Sequence, residues 1–218
     1  KSLVHPPLEV LVTVDEETGM YGAFALEGGL LQGKTLLNLD SEAEGELYVG
    51  CAGGVDTTAK FAYTPVEVED GDVAVKVSLT GCKGGHSGCD IHLQRANANK
   101  LLFRFLKEAV ANYEARLASV EGGSLRNAIP REASAIITIP AEGLDEVMDL
   151  VAECEDLFIA EYDGVEDNIR FTAEQVECPT TELPEDVQDF LIHAITACPH
   201  GVYRVIPEMP DVVETSNN

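Results

Sequence analysis

Basic residues are scarce in this 218-residue chain: 14 Lys and Arg stand against 39 Asp and Glu, a formal charge of −25. A surface so negative repels phosphates, which argues against nucleic acid and anionic membranes as partners. Abundant acid is equally what a well-solvated surface carries, so charge says little about substrate. Long apolar runs are missing too. Nothing approaches the ~18 residues of a membrane span, and no signal-peptide pattern is present. The six cysteines, at 51, 82, 89, 154, 178 and 198, include no CxxC pair. A chain of this size needs no covalent staples, so reduced thiols in a cytoplasmic protein are expected. A hydrophobic content of 45% with 24% charged residues is ordinary for a globular protein. The length suffices for one domain with a good core or two small ones.

Residues 8–23, LEVLVTVDEETGMYGA, organise the first part of the chain. Residues 8–14 are apolar and β-branched, the composition of a strand buried on both faces of a parallel sheet. Three acids follow, Asp15, Glu16 and Glu17, then a turn at Thr18 and Gly19. In open α/β sheets the ligand crevice lies beyond the carboxyl ends of strands. Three carboxylates there repel one another, so a divalent cation is an economical partner, although a solvated acidic turn has the same composition. Residues 34–39 (KTLLNL) read as a second strand ending at Asp40, followed by Ser41, Glu42, Glu44 and Glu46. Residues 20–31 read as a short helix between the two. The expected unit is therefore a parallel βαβ core with both strands ending on one edge. On that edge Glu17 and Asp40 are candidates to share a metal site, leaving Glu16 as a base.

Past Gly53 and Gly54 the pattern changes. Residues 61–68 and 73–80 alternate apolar and polar around an acidic turn, which predicts an antiparallel hairpin. Residues 97–117 have helical periodicity, 133–140 (ASAIITIP) read as a strand, 144–159 as an amphipathic helix and 169–176 as a strand. The order predicts two helices on one face of an antiparallel sheet, an α+β ferredoxin-like layer. A helix over 184–197 and a strand around 212–215 close the chain.

Two loops carry candidate chemistry. Residues 82–92 read CKGGHSGCDIH, where Cys82, His86, Cys89 and His92 are all zinc-ligand types. Eleven residues make a tetrahedral site cramped, and a glycine-rich turn is the plainer reading. The second loop, SLRNAIPREA, holds Asn127, whose amide both donates and accepts. Arg126 and Arg131 flank it, for surface ion pairing or anion binding. Pro130 restricts its own φ and the residue before it, so an ordered loop is expected.

Four motifs in order, VDEETGMYGA, LLNLDSEAEGELYVGCAGG, GGHSGCDIHLQRANANKLL and GGSLRNAIPREA, resemble the dinuclear-zinc peptidases related to carnosinase, and most of all their bacterial aminoacyl-histidine dipeptidase branch. The resemblance implies catalytic-domain pieces at 1–53 and 184–218 with a lid domain, 54–183, inserted between them. It implies an internal fragment, because the family's remaining ligands would lie before Lys1 and after Asn218. It implies two zinc ions, with manganese or cobalt as alternatives, which polarise the scissile carbonyl and lower the pKa of a bridging water. Glu17 and Asp40 match metal ligands, Glu16 the general base, His86 the lid histidine at the oxyanion, and Asn127 a substrate contact. The implied substrate is a dipeptide with C-terminal histidine, such as β-alanyl-histidine, and the implied partner is a second copy joined through the lid. Two other readings stay open: an N-acyl amino acid deacylase with the same site, and a non-catalytic fragment that self-associates through an exposed sheet edge.

Overall fold

In the computed structural model, which describes residues 3–40 and 44–218, the chain falls into two units, Lys1–Gly53 and Gly54–Asn218. The first holds two single helical turns, α1 (Glu16–Gly19) and α2 (Tyr21–Phe24). They meet at Met20, whose φ of 53° ends one turn and opens the next. The strands expected over 8–14 and 34–39 are not formed, so the parallel βαβ core is absent among the described residues. Their apolar side chains show why: Val10 is 85% and Leu39 87% exposed. A strand exists only where a neighbour completes its ladder, and among the described residues of this unit none does. The helix expected over 20–31 stops at Phe24. Gly28 and Gly29, the latter at φ 86°, follow closely, and so short a helix has little stability without a packed face. The two apolar runs are nonetheless tied, since the Glu9 carboxylate accepts from the Gln32 N–H at 2.9 Å and from the Gly33 N–H.

The second unit contains β1 (Val66–Glu67), β2 (Asp72–Thr80), β3 (Gly85–His86), α3 (Ala98–Asn112), β4 (Arg116–Gly122), β5 (Ala128–Ile129) and β6 (Ala133–Pro140). It continues with α4 (Leu144–Glu161), β7 (Arg170–Val176), β8 (Thr181–Glu182), α5 (Glu185–Ala197), β9 (Gly201–Ile206) and β10 (Met209–Asn217). Four strands form one antiparallel sheet in the order β4-β6-β2-β7. Along the chain, β2-α3-β4 and β6-α4-β7 are two split β-α-β units, each receiving a strand of the other in its gap. This is the ferredoxin-like order.

Two local expectations are corrected. The hairpin of 61–68 with 73–80 does not form, because β1 pairs with β8 while β2 pairs with β6 and β7. The helix predicted to reach 117 ends at Asn112, and Glu114 at φ 52° turns the chain into β4, whose first residues, Arg116 and Leu117, fall within the predicted helix.

Alternation places Val75, Val77 and Leu79 of β2 and Ala135, Ile137 and Ile139 of β6 on one face, against Leu101, Leu102, Phe105 and Leu106 of α3. Phe105, Phe158 and Phe171 join α3, α4 and β7, with Phe171 edge-on to Phe105 at 5.1 Å between centroids and 5.8 Å from Phe158. Residues 184–218 lie in this same unit. The Lys100 ammonium donates to the carbonyls of Ile195, Thr196 and Cys198 at 2.7, 3.1 and 2.6 Å, capping the C-terminus of α5. The Gln188 side chain accepts from the Leu117 N–H at 2.6 Å. The break in sequence pattern near 184 is thus not a break in packing.

Candidate functional site

His86 and Asn127, far apart in sequence, are brought side by side by the short β3–β5 ladder. Gly85 pairs with Ile129 and His86 with Ala128, and the Ser87 N–H donates to the Asn127 carbonyl at 2.8 Å. The Asn218 amide holds the other side of this loop by donating to the Ala128 carbonyl at 3.0 Å.

The loop carrying His86 is closed by buried charge. Glu166, only 8% exposed, accepts from the Lys83 N–H at 2.7 Å and the Ala96 N–H at 2.9 Å, clamping both stems. Within the loop, Asp90 accepts from the His86 N–H at 2.8 Å and pairs with Arg95 at 3.6 Å. Arg95 in turn donates to the Gly84 carbonyl at 2.6 Å. Gly85 has to be glycine: its φ is 143°, and a Cβ there would sit 2.6 Å from both Arg95 and Asp90 side-chain atoms. The His86 ring folds back on this turn, with Nδ1 at 3.0 Å from the Gly88 N and 3.1 Å from the Cys89 N. Asp90 sat within the motif read from sequence. Glu166 gave no comparable signal, being one acid among many.

In the first unit, Glu16 and Glu17 occupy the opening turn of α1, exposed, behind Asp15 at φ 54°. Gly22 makes this turn possible. Its N–H donates to the Val14 carbonyl at 3.1 Å, and a Cβ would lie 2.6 Å from the Val14 nitrogen. Asp40 is exposed, its N–H donating to the Asn38 side chain at 3.0 Å. Ser41 and Glu42 lie outside the described residues. Among the described residues no three His, Cys, Asp or Glu side chains gather as a metal cluster. Glu16, Glu17 and Asp40 thus supply the right donor chemistry without forming a closed metal site by themselves.

Residues 77–166, which include His86, Asn127 and Glu166, match the peptidase dimerisation domain family. Over all 218 residues the chain is 43% identical to the cytosol non-specific dipeptidase of Escherichia coli, covering 45% of that protein. By structure, 94% of the chain superposes on 42% of the aminoacylhistidine dipeptidase of Vibrio alginolyticus, with a TM-score of 0.77 and 42% identity. The chain is similar to both of these dipeptidases. It spans less than half the length of either.

The remaining motif residues fall into structural places. The four zinc-type residues of 82–92 form no cluster among the described residues. Cys82 is buried, its thiol pushed up to about 12 by burial and by the Glu166 carboxylate, whereas Cys89 is exposed. His92 is exposed on a 3-10 turn, Ile91–Leu93, that buries Ile91. Arg126 pairs with Asp56, and the Arg131 Nε donates to the Cys82 carbonyl at 3.4 Å. No helix of the described residues is long and apolar enough to cross a membrane.

Proposed function

We propose that this chain is part of a metal-dependent dipeptidase that hydrolyses dipeptides with C-terminal histidine, β-alanyl-histidine among them. The observation that carries the reading is the pairing of His86 with the Asn127 loop. Two residues from separate motifs are joined by one ladder, which pairs His86 with the neighbour of Asn127, within the residues that match the peptidase dimerisation domain. In this reading Glu16 takes a proton from the attacking water and returns it to the leaving amine. His86 presents an N–H where negative charge develops, and Asn127 orients the substrate through its amide. Glu17 and Asp40 act as carboxylate donors to zinc, with manganese or cobalt as alternatives. In this reading the 218-residue chain alone is inactive. Residues 1–53 and 184–218 are read as pieces of the catalytic domain and 54–183 as its lid. The protein is read as cytoplasmic, in keeping with its cytosol relative. It is also read as a homodimer: among the described residues β7 is an end strand of the four-stranded sheet, and residues 77–166 of the same unit match a dimerisation domain.

The test is hydrolysis of β-alanyl-histidine by the full-length parent, with and without chelator, beside its Glu16→Gln variant. We expect chelator-sensitive activity and a loss of about 10²–10⁴ in kcat in the variant. Activity indifferent to Glu16 would remove the base assignment. Turnover of N-acyl amino acids with none of dipeptides would move the reading to a deacylase.

A further inference from the structure

The contacts around His86 decide which ring nitrogen carries the proton. The Gly88 and Cys89 N–H groups both converge on Nδ1. A backbone N–H only donates, so Nδ1 is the bare, accepting nitrogen, and in the neutral ring the proton sits on Nε2. The chain contains its own contrast. In α5 the Nδ1 of His193 lies 2.8 Å from the Asp189 carbonyl oxygen. A carbonyl only accepts, so there Nδ1 carries the proton. Two exposed histidines of one chain hold opposite tautomers, each set by the backbone beside it.

The His86 backbone is fixed as well. Its N–H is held by Asp90, which Arg95 braces from the far stem, and Glu166 locks the two stems together. We propose that the turn through residues 87–90 fixes His86 as an Nε2–H donor, with Asp90 and Glu166 as its positioning residues. The proposal rests on the reading of His86 as a donor to the oxyanion and deepens it. The group His86 meets must be an acceptor, a carbonyl or developing oxyanion, and the donor needs no proton shift before it acts. Glu166 and Asp90 reach that group only through the loop.

The experiment is long-range ¹H–¹⁵N NMR of the ring nitrogens in the ¹⁵N-histidine-labelled 218-residue chain. It is run near pH 8, above the ordinary histidine pKa of about 6.5. Signals are identified by their loss in His86→Gln and His193→Gln. We expect His86 bare at Nδ1 and protonated at Nε2, and His193 the reverse. Asp90→Ala should turn the His86 signals into a mixture of tautomers while His193 stays as it was, which also reports that α5 is folded. Glu166→Gln, which keeps one acceptor oxygen of two, should give a smaller shift in the same direction. A His86 protonated at Nδ1, or mixed in the unaltered chain, would overturn the proposal. A His86 pattern untouched by Asp90→Ala would overturn the positioning role. The two readings fail separately. If the Nε2–H form is found but His86→Gln leaves the parent's kcat unchanged, the tautomer stands and the oxyanion role falls. If His86→Gln abolishes turnover while the ring is protonated at Nδ1, the reverse holds.

Discussion

The two units of this chain carry strand-forming sequence of the same quality and do opposite things with it. In Gly54–Asn218 Val75 and Val77 of β2 and Ile137 and Ile139 of β6 face helices and are fully buried. In Lys1–Gly53 the run LEVLVTV is as β-branched as β2, yet its side chains stay exposed and, among the described residues, its backbone pairs with no strand. Propensity and pattern do not make a strand; a neighbour that satisfies its backbone and covers its face does.

Core truncation is the strongest way to break that contrast. Phe105→Ala removes the side chain that meets Phe171 and should cost about 3–5 kcal/mol in urea unfolding followed in the second unit. Leu11→Ala, in the exposed run of the first, should change stability by less than about 0.5 kcal/mol. Equal losses would mean that the apolar runs of the first unit are as well packed as the core.

A smaller effect sharpens the tie between α3 and α5. Lys100→Met keeps the aliphatic stem but removes the ammonium from three carbonyls at the end of α5. A loss of about 1 kcal/mol is expected, scaled down because the group is partly solvated. An unchanged Tm would make residues 184–218 an appendage.

The smallest effect is in pH. Burial holds the His200 imidazole below its ordinary value, and its Nδ1 lies 3.1 Å from the Asn97 amide at the head of α3. The fold thus favours the neutral ring, and the unfolded chain binds the extra proton first. His200 therefore contributes its full stability above about pH 6.5, and that contribution is lost as pH falls toward the lower value in the folded chain. Between pH 7 and 5 the Tm should fall more steeply for the unaltered chain than for His200→Gln. Parallel slopes would show that His200 is not coupled to folding.

Much of the second unit was legible because its signals are local. The alternation in ASAIITIP marks β6 residue for residue, and the apolar stripe of α4 marks that helix. What was not legible depends on distant partners. β1 pairs with β8 rather than with its sequence neighbour, and β4 was hidden because Leu117 also fits a helical spacing. The candidate site divides in the same way. His86 and Asn127 stand out in their motifs, but only the β3–β5 ladder brings them together. Glu166 is one of 39 acids, and nothing in its neighbourhood announces that it closes a loop some eighty residues earlier. For the four zinc-type residues of 82–92 residue type alone marked no site, and the glycine-rich turn was already the plainer reading of the sequence.

The interleaved strand order bears on how the chain is made. β2, at the centre of the sheet, bonds to β6 and β7, so its second neighbour ends only at Val176. With synthesis at about 5–20 residues per second, β2 waits roughly 5–20 s after leaving the ribosome before β7 arrives. Until then it is an edge strand of valine and leucine, open to any other extended chain nearby. The nascent polypeptide is therefore most vulnerable to aggregation in that interval, and a chain arrested before residue 170 should be a better chaperone client than the finished one.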